Sequence, residues 1–177
     1  MNDVMKGALA GFIATAPMTL AMGVMFKLLP PAQKYPLPPR QVTLRVLPRA
    51  AVVELDEPAR DNVTLLSHFA YGAVSGAVYA PIASQLRPSP LVGGIVHGLV
   101  VWSGSYLGWL PAVGIMSPAT QHPAERNALM IAAHVVWGAA AGALIERLLR
   151  EDEVAESSQP EARFEEAELA PSQGMGP

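Results

Sequence analysis

Charge is segregated along this chain in a way that constrains its fold. Four long stretches contain no Asp, Glu, Lys or Arg, and they cover residues 7–26, 62–86, 88–124 and 127–145. A helix exposed to water needs a charged or strongly polar face, which these stretches lack. About 20 uncharged, mostly apolar residues suffice for a helix to cross a bilayer. The sequence therefore predicts an integral membrane protein, in keeping with 51% hydrophobic and only 15% charged residues.

We predict one transmembrane helix in each uncharged stretch and an all-α fold, an integral membrane four-helix bundle. The spans are expected at residues 7–26, 64–83, 91–110 and 128–148, within a membrane domain of residues 1–150. We expect the first span to be retained rather than cleaved as a signal peptide, because proline follows the small-residue triplet and the apolar run continues beyond it. Four spans place both termini on one side, but the distribution of Lys and Arg leaves open which side that is.

Two segments lie outside the predicted spans. The connection of residues 28–63 is rich in proline, and its residues 40–47 read RQVTLRVL. This octapeptide is either a short interfacial helix, with its apolar side in the lipid and its arginines at the head groups, or a solvated loop. The acidic tail of residues 151–177 lacks the apolar residues needed to bury a core, and we predict that it is disordered.

One decapeptide occurs twice. Residues 68–77 read HFAYGAVSGA and residues 134–143 read HVVWGAAAGA. Both copies have the pattern His-x-x-aromatic-Gly-Ala-x-x-Gly-Ala. The second and fourth predicted spans carry them and run in the same direction, so His68 and His134 are expected at the same depth. The duplication predicts an internal two-helix repeat.

Glycine pairs recur at a spacing of four residues, which places both glycines of a pair on one face of a helix. Lipid offers helices no hydrophobic drive to associate, so the association of helices depends on van der Waals contact where small residues let their backbones come close. We therefore expect packing contacts at these pairs. The pairs are Gly72/Gly76, Gly94/Gly98, Gly104/Gly108 and Gly138/Gly142, with Gly7/Gly11 adding a similar face to the first span.

These residues resemble a known family. The string PLPPR at residues 36–40, directly after the first span, is similar to the same string in YagU-type bacterial inner-membrane proteins. The His-initiated, glycine-spaced helices also resemble that group, over about residues 5–150. The resemblance implies a multi-pass protein of the bacterial cytoplasmic (inner) membrane with four spans and cytoplasmic termini. It implies no biochemical activity or functional residues, because the family has none established; an association with acid tolerance is attached to YagU itself.

Histidines within membrane spans are the candidate polar sites, because placing a polar side chain in hydrocarbon is energetically costly and such residues commonly have a structural or functional role. His68, His97 and His134 are these candidates. One interpretation is structural, with each imidazole bonding a neighbouring helix. A second is proton movement through the repeated imidazoles. A third is a haem carrier, in which His68 and His134 clamp the iron while Gly72 and Gly138 make room for the ring.

Several functional classes lack support in the sequence. Cysteine is absent and no nucleophile–base or metal-ligand spacing occurs, so we expect neither an enzyme, nor a metal site, nor a required cofactor. No basic cluster predicts a nucleic-acid partner. The expected partners are the lipid bilayer and either a second copy or another membrane protein. The activity stays unassigned; pH or small-solute homeostasis is the leading hypothesis, and a structural or accessory subunit acting through helix association is the alternative.

Overall fold

The computed structural model describes the backbone of residues 1–169 and the side chains of residues 1–151. This part of the chain is helical and contains no strand. The α-helices are α1 (Asp3–Leu28), α2 (Pro38–Val46), α3 (Arg49–Glu54), α4 (Glu57–Leu86), α5 (Pro90–Ser103), α6 (Leu110–Ala112) and α7 (Ala124–Leu169). A π-helical segment, Gly104–Trp109, joins α5 to α6, and Pro31–Gln33 and Ala119–Gln121 form short 3₁₀ turns.

Three helices among the described residues are long and apolar enough to cross a membrane: Asp3–Leu28, Pro90–Ala112 and Ala124–Glu151. The chain is thus a multi-pass membrane protein. The remaining predicted span, residues 64–83, lies within α4. That helix is long enough to span but more polar than the other three, since it includes Ser67, His68 and Ser75.

The last helix continues into the acidic tail. α7 continues as a helix to Leu169, although disorder was expected from residue 151 onward. Glu and Ala, both strong helix formers, are frequent in this stretch, although it also contains Pro160, which disfavours a helix interior. The expectation for residues 170–177 lies outside the described part.

The long helices pack in a definite order. α1 lies between α4 and α7, and α7 lies between α1 and α5. By contrast, the backbones of α4 and α5 are well separated and are bridged mainly by side chains. Tight packing on three sides and a wide fourth side leave space between the helices, and the candidate site lies in this space.

Glycine contacts hold the tight sides together. A methyl group added at Gly11 would overlap the carbonyl oxygen of Gly72, and one at Gly7 would overlap that of Gly76. The pair α5–α7 is built in the same way, because a methyl group at Gly94 would overlap the carbonyl oxygen of Gly138. In the same pair, Gly98 lies against the backbone of His134 and Gly142 against that of Pro90. Backbones this close exclude any side chain at these positions.

Gly104 and Gly108 do not make such contacts within the described part of the chain. A methyl group at Gly104 would meet nothing within 4 Å, and one at Gly108 would only touch the carbonyl of Ser103 in the same chain segment. Both glycines lie in the π segment, where Gly108 has φ −106° and ψ −106°. The wider helical turn there removes the regular i, i+4 face on which the packing prediction rested.

We predict that Gly11→Ala and Gly138→Ala each lower the thermal stability of the purified protein in detergent by about 1–3 kcal/mol, because their new methyl groups meet backbone that cannot give way. Gly23→Ala is the matched control, since its methyl group enters open space and alanine favours helix by up to about 1 kcal/mol. Thermal unfolding followed by circular dichroism measures all three. Equal stability of Gly11→Ala and Gly23→Ala would contradict the packing account.

Candidate ligand cavity

A cavity of about 250 Å³ lies between the long helices, next to α2. α1, α4 and α7 contribute to its walls, Val101 and the π segment contribute from the α5 side, and α2 covers it. One water molecule needs roughly 10–15 Å³ of such volume, so the space can hold a small molecule. The walls are mainly apolar, and among the described residues no Asp, Glu, Lys or Arg lines them.

The structure brings together two of the three candidate histidines. His68 of α4 and His134 of α7 both line the cavity, whereas His97 does not. His134 is 6% exposed and His68 is half-buried. Two other lining residues, Trp109 and Trp137, carry an indole N–H, and that of Trp137 donates to the carbonyl of Gly11. The remaining polar side chains of the lining carry hydroxyl groups, and they are Thr15, Thr43, Ser67, Tyr71, Ser75, Ser105 and Tyr106.

Hydrogen bonds fix the orientation of both imidazoles. His134 Nδ1 lies 2.7 Å from the carbonyl oxygen of Met130. A carbonyl can only accept, so Nδ1–H donates and Nε2 of the neutral ring is an acceptor. His68 Nδ1 lies 3.4 Å from Thr19 Oγ1, whose own hydroxyl donates to the carbonyl of Thr15 at 2.7 Å. Nδ1–H of His68 is therefore again the donor, and its Nε2 is likewise an acceptor.

His97 has a structural role in these contacts. Its Nε2 lies 3.1 Å from the carbonyl oxygen of Ser75 on α4. Its ring stacks on Tyr79 with centroids 4.6 Å apart and lies 5.8 Å from Trp137. Because α4 and α5 hardly touch through their backbones, this imidazole is one of the bridges that join them.

The π segment supplies a second bridge and part of the cavity wall. Ser105 and Tyr106 are buried there, and Tyr71 Oη of α4 lies 2.9 Å from Ser105 Oγ. The Tyr106 ring lies edge-on to His134, with centroids 5.9 Å apart. A π turn shifts the residues that follow it around the helix axis, which is how these hydroxyl groups reach the cavity. No sequence pattern predicted this segment.

Helix α2 forms a lid over the cavity. The octapeptide at residues 40–47 falls largely within this helix, and Val42, Thr43 and Val46 line the cavity. Part of its apolar side thus faces the protein, where the interfacial interpretation expected lipid. Its arginines are also engaged by protein: Arg40 forms ion pairs with Glu57 and Asp61 of α4, and Arg45 donates to the carbonyl of Ile115.

These ion pairs are intact at neutral pH. The hydrogen bonds from Arg40 and Arg60 hold the pKa of the Glu57 carboxyl below its ordinary value. The same pairing raises the pKa of Arg40, with the hydrogen bond to Glu57 as its largest cause. Both partners are therefore ionised over the physiological range, and the lid is held to the start of α4 under those conditions.

Arg126, at the start of α7, anchors the segment that leads into the lid. Its side chain is buried and donates to the carbonyl oxygens of Gln33, Tyr35 and Pro36 at 2.7–3.1 Å. Its guanidinium also lies 3.7 Å above the Tyr35 ring, a cation–π contact. From the sequence, this arginine is expected only as a charge at the membrane interface. Its contact with a loop some ninety residues away could not be predicted, because no local sequence pattern indicates it.

The haem hypothesis does not fit the glycines that it relied on. A methyl group at Gly72 would overlap Thr15 Oγ1, and one at Gly138 would overlap the carbonyl of Gly94. Neighbouring helices already occupy the room that the porphyrin ring would need beside each glycine. Among the described residues, no group of three or more His, Asp or Glu side chains could hold a metal ion either.

Comparisons with known proteins do not assign the chain to a family. No family model, no curated protein and no solved structure matches this chain.

We predict that Arg126→Gln destabilises the lid, because three carbonyl oxygens lose a charged donor and the Tyr35 stack is lost. We expect a loss of about 2–4 kcal/mol in unfolding free energy and faster proteolysis between residues 31 and 47. Arg147→Gln is the control, since the Arg147 side chain is 78% exposed and its ion pair among the described side chains is with Glu151 of the same helix. Equal proteolysis rates in the two variants would show that Arg126 does not anchor this segment.

Proposed function

We propose that this chain is a four-span membrane protein that binds a small, neutral solute between its helices, in the service of small-solute homeostasis. The observation that carries the proposal is a cavity that both His68 and His134 line and that no Asp, Glu, Lys or Arg among the described residues lines. It is a concave, mainly apolar space with a few convergent polar groups, the usual character of a small-molecule site. α2 shields it on one side.

The fourth span of this proposal is α4. Its glycine face packs against α1, one of the membrane-capable helices. Two glycines on each helix interlock there, so α4 follows α1 through the bilayer in the proposed arrangement. Its more polar residues, including Ser67 and His68, line the cavity and so need not meet lipid.

The proposed two-helix repeat pairs α1–α4 with α5–α7. Gly11 lies against the carbonyl of Gly72 and the Cα of Gly76. In the other hairpin, Gly94 lies against the equivalent atoms of Gly138 and Gly142. The matching contacts support a duplicated hairpin, with Gly94 as the counterpart of Gly11.

Membership of the YagU-type family and a location in the bacterial cytoplasmic membrane remain part of the proposal. Its support is the PLPPR string, which leads into and begins the lid helix: Pro36 accepts from Arg126, and Arg40 pairs with α4. Because this string both anchors the lid and begins its helix, proteins with the same architecture would be expected to share it.

Solute binding is favoured over proton relay by the state of the imidazoles. A relay needs groups that exchange protons along a path, and carboxylates usually take part in it. Here Nδ1–H of each ring is committed to a neighbouring oxygen, and the described lining has no carboxylate. The accessory-subunit alternative loses support as well, because four of the five glycine pairs pack against each other within the chain and the fifth, Gly104/Gly108, lies in the π segment.

The experiment is a binding titration in lipid nanodiscs followed by tryptophan fluorescence, since Trp109 and Trp137 both line the cavity. We predict a saturable change with 1-hexanol, and none with hexanoate or hexylammonium, because an ion would enter an apolar space without a counter-charge. Ser67→Leu, which fills the cavity, is expected to abolish the change. Ser84→Leu, on the same helix but outside the cavity, is expected to retain it.

Two outcomes would overturn the proposal. One is the absence of saturable binding in the native protein, or equal binding of the charged probes. The other is a proton flux into vesicles containing the native protein that disappears in the double variant His68→Gln/His134→Gln, which would identify the imidazoles as a conduction element.

A further inference from the structure

The chemistry of the cavity narrows the class of its ligand. His68 and His134 line it, and because Nδ1–H of each ring donates to a protein oxygen, Nε2 is left as an acceptor with no hydrogen-bond donor among the described residues. An acceptor shielded from water is costly when it lacks a donor, whereas one that is paired contributes to affinity. A ligand that matches this cavity therefore brings a hydrogen-bond donor.

The rest of the wall requires that the donor be uncharged and attached to an apolar body. No ionic side chain among the described residues lines the cavity, so a cationic donor would lack a counter-ion. Val42, Val101, Leu110, Met18 and Met130 supply hydrocarbon contacts around the imidazoles. A hydroxyl group on a hydrocarbon chain or ring satisfies both demands.

The wide side of the helix bundle leaves one edge of this cavity exposed. Two lining side chains at this edge are substantially exposed: Tyr71 at 42% and Trp109 at 41%. Tyr71 lies on α4 and Trp109 lies within the membrane-capable stretch Pro90–Ala112. Between these helices the backbones are far apart, and the Tyr71–Ser105 hydrogen bond crosses the gap.

We propose that the cavity binds a bilayer-borne alcohol, a neutral hydroxyl group on a hydrocarbon body, which enters between α4 and the π segment and donates its O–H to Nε2 of His68 or His134. This inference rests on the proposed function and specifies its ligand. The lid closes the aqueous side above the hydroxyl group, and the hydrocarbon body lies toward the lipid edge.

The first test compares two isomers that differ only in the donor, 1-octanol and heptyl methyl ether. In the nanodisc titration the native protein is expected to bind 1-octanol about tenfold more tightly than the ether. His68→Asn and His134→Asn retain an amide that can replace the Nδ1 donor but lack the Nε2 acceptor. Each is expected to weaken octanol binding about two- to tenfold and to leave ether binding unchanged.

His122→Asn is the matched control, because this imidazole lies in a loop and bonds Ser117 outside the cavity. Equal affinity for the two isomers would overturn the alcohol assignment while leaving neutral-solute binding intact. Failure of both isomers to bind would overturn the proposed function as well. The two failures are thus distinguishable.

The second test addresses the source of the ligand. Oleyl alcohol resides in the bilayer, so nanodiscs that contain it are expected to require about tenfold more 1-octanol for half-saturation, by competition, while oleyl methyl ether has no such effect. If octanol binding is unaffected by oleyl alcohol, the ligand reaches the cavity from water and the lateral route is wrong.

Discussion

Close backbone contact at glycine is the constraint on which this structure depends. Dispersion between helices is weak per atom and falls steeply with distance, so a membrane bundle without a hydrophobic drive needs backbones in contact. Gly11 against Gly72 and Gly94 against Gly138 provide that contact in two separate hairpins. The α1–α7 contact then joins the hairpins, and α4 and α5 are left apart. The cavity is the space that this unequal packing leaves open.

The polar residues within the membrane domain follow from the same arrangement. Where helices touch through glycine there is no room for a side chain, so the imidazoles and hydroxyl groups collect on the wide side. His97 uses its position there to join α5 to α4. Each of the three rings has one nitrogen bonded to a protein oxygen, but only His68 and His134 among them line the cavity, and this difference separates the structural histidine from the two candidate ligand-binding ones.

The sequence predicted what depends on local composition and failed where distant segments meet. Uncharged stretches of suitable length predicted membrane-capable helices, three of which the structure confirms by length and composition. The repeated decapeptide singled out the two histidines that share the cavity. The lid depends on Arg126 reaching the carbonyls of Gln33, Tyr35 and Pro36, a long-range contact without a local pattern. Gly104 and Gly108 have the same four-residue spacing as the other glycine pairs. They lie in a π turn, however, where that spacing does not place two residues on one regular helix face.

The most direct test of the account is the ¹⁵N NMR spectrum of the histidine side chains in the native protein at neutral pH, assigned with His68→Asn and His134→Asn. The account predicts that both rings carry their proton on Nδ1, with an unprotonated Nε2 whose chemical shift moves when 1-octanol is added and not when heptyl methyl ether is added. A proton on Nε2 of both rings, or Nε2 shifts that respond to neither isomer, would contradict the claim that these two imidazoles form an acceptor site.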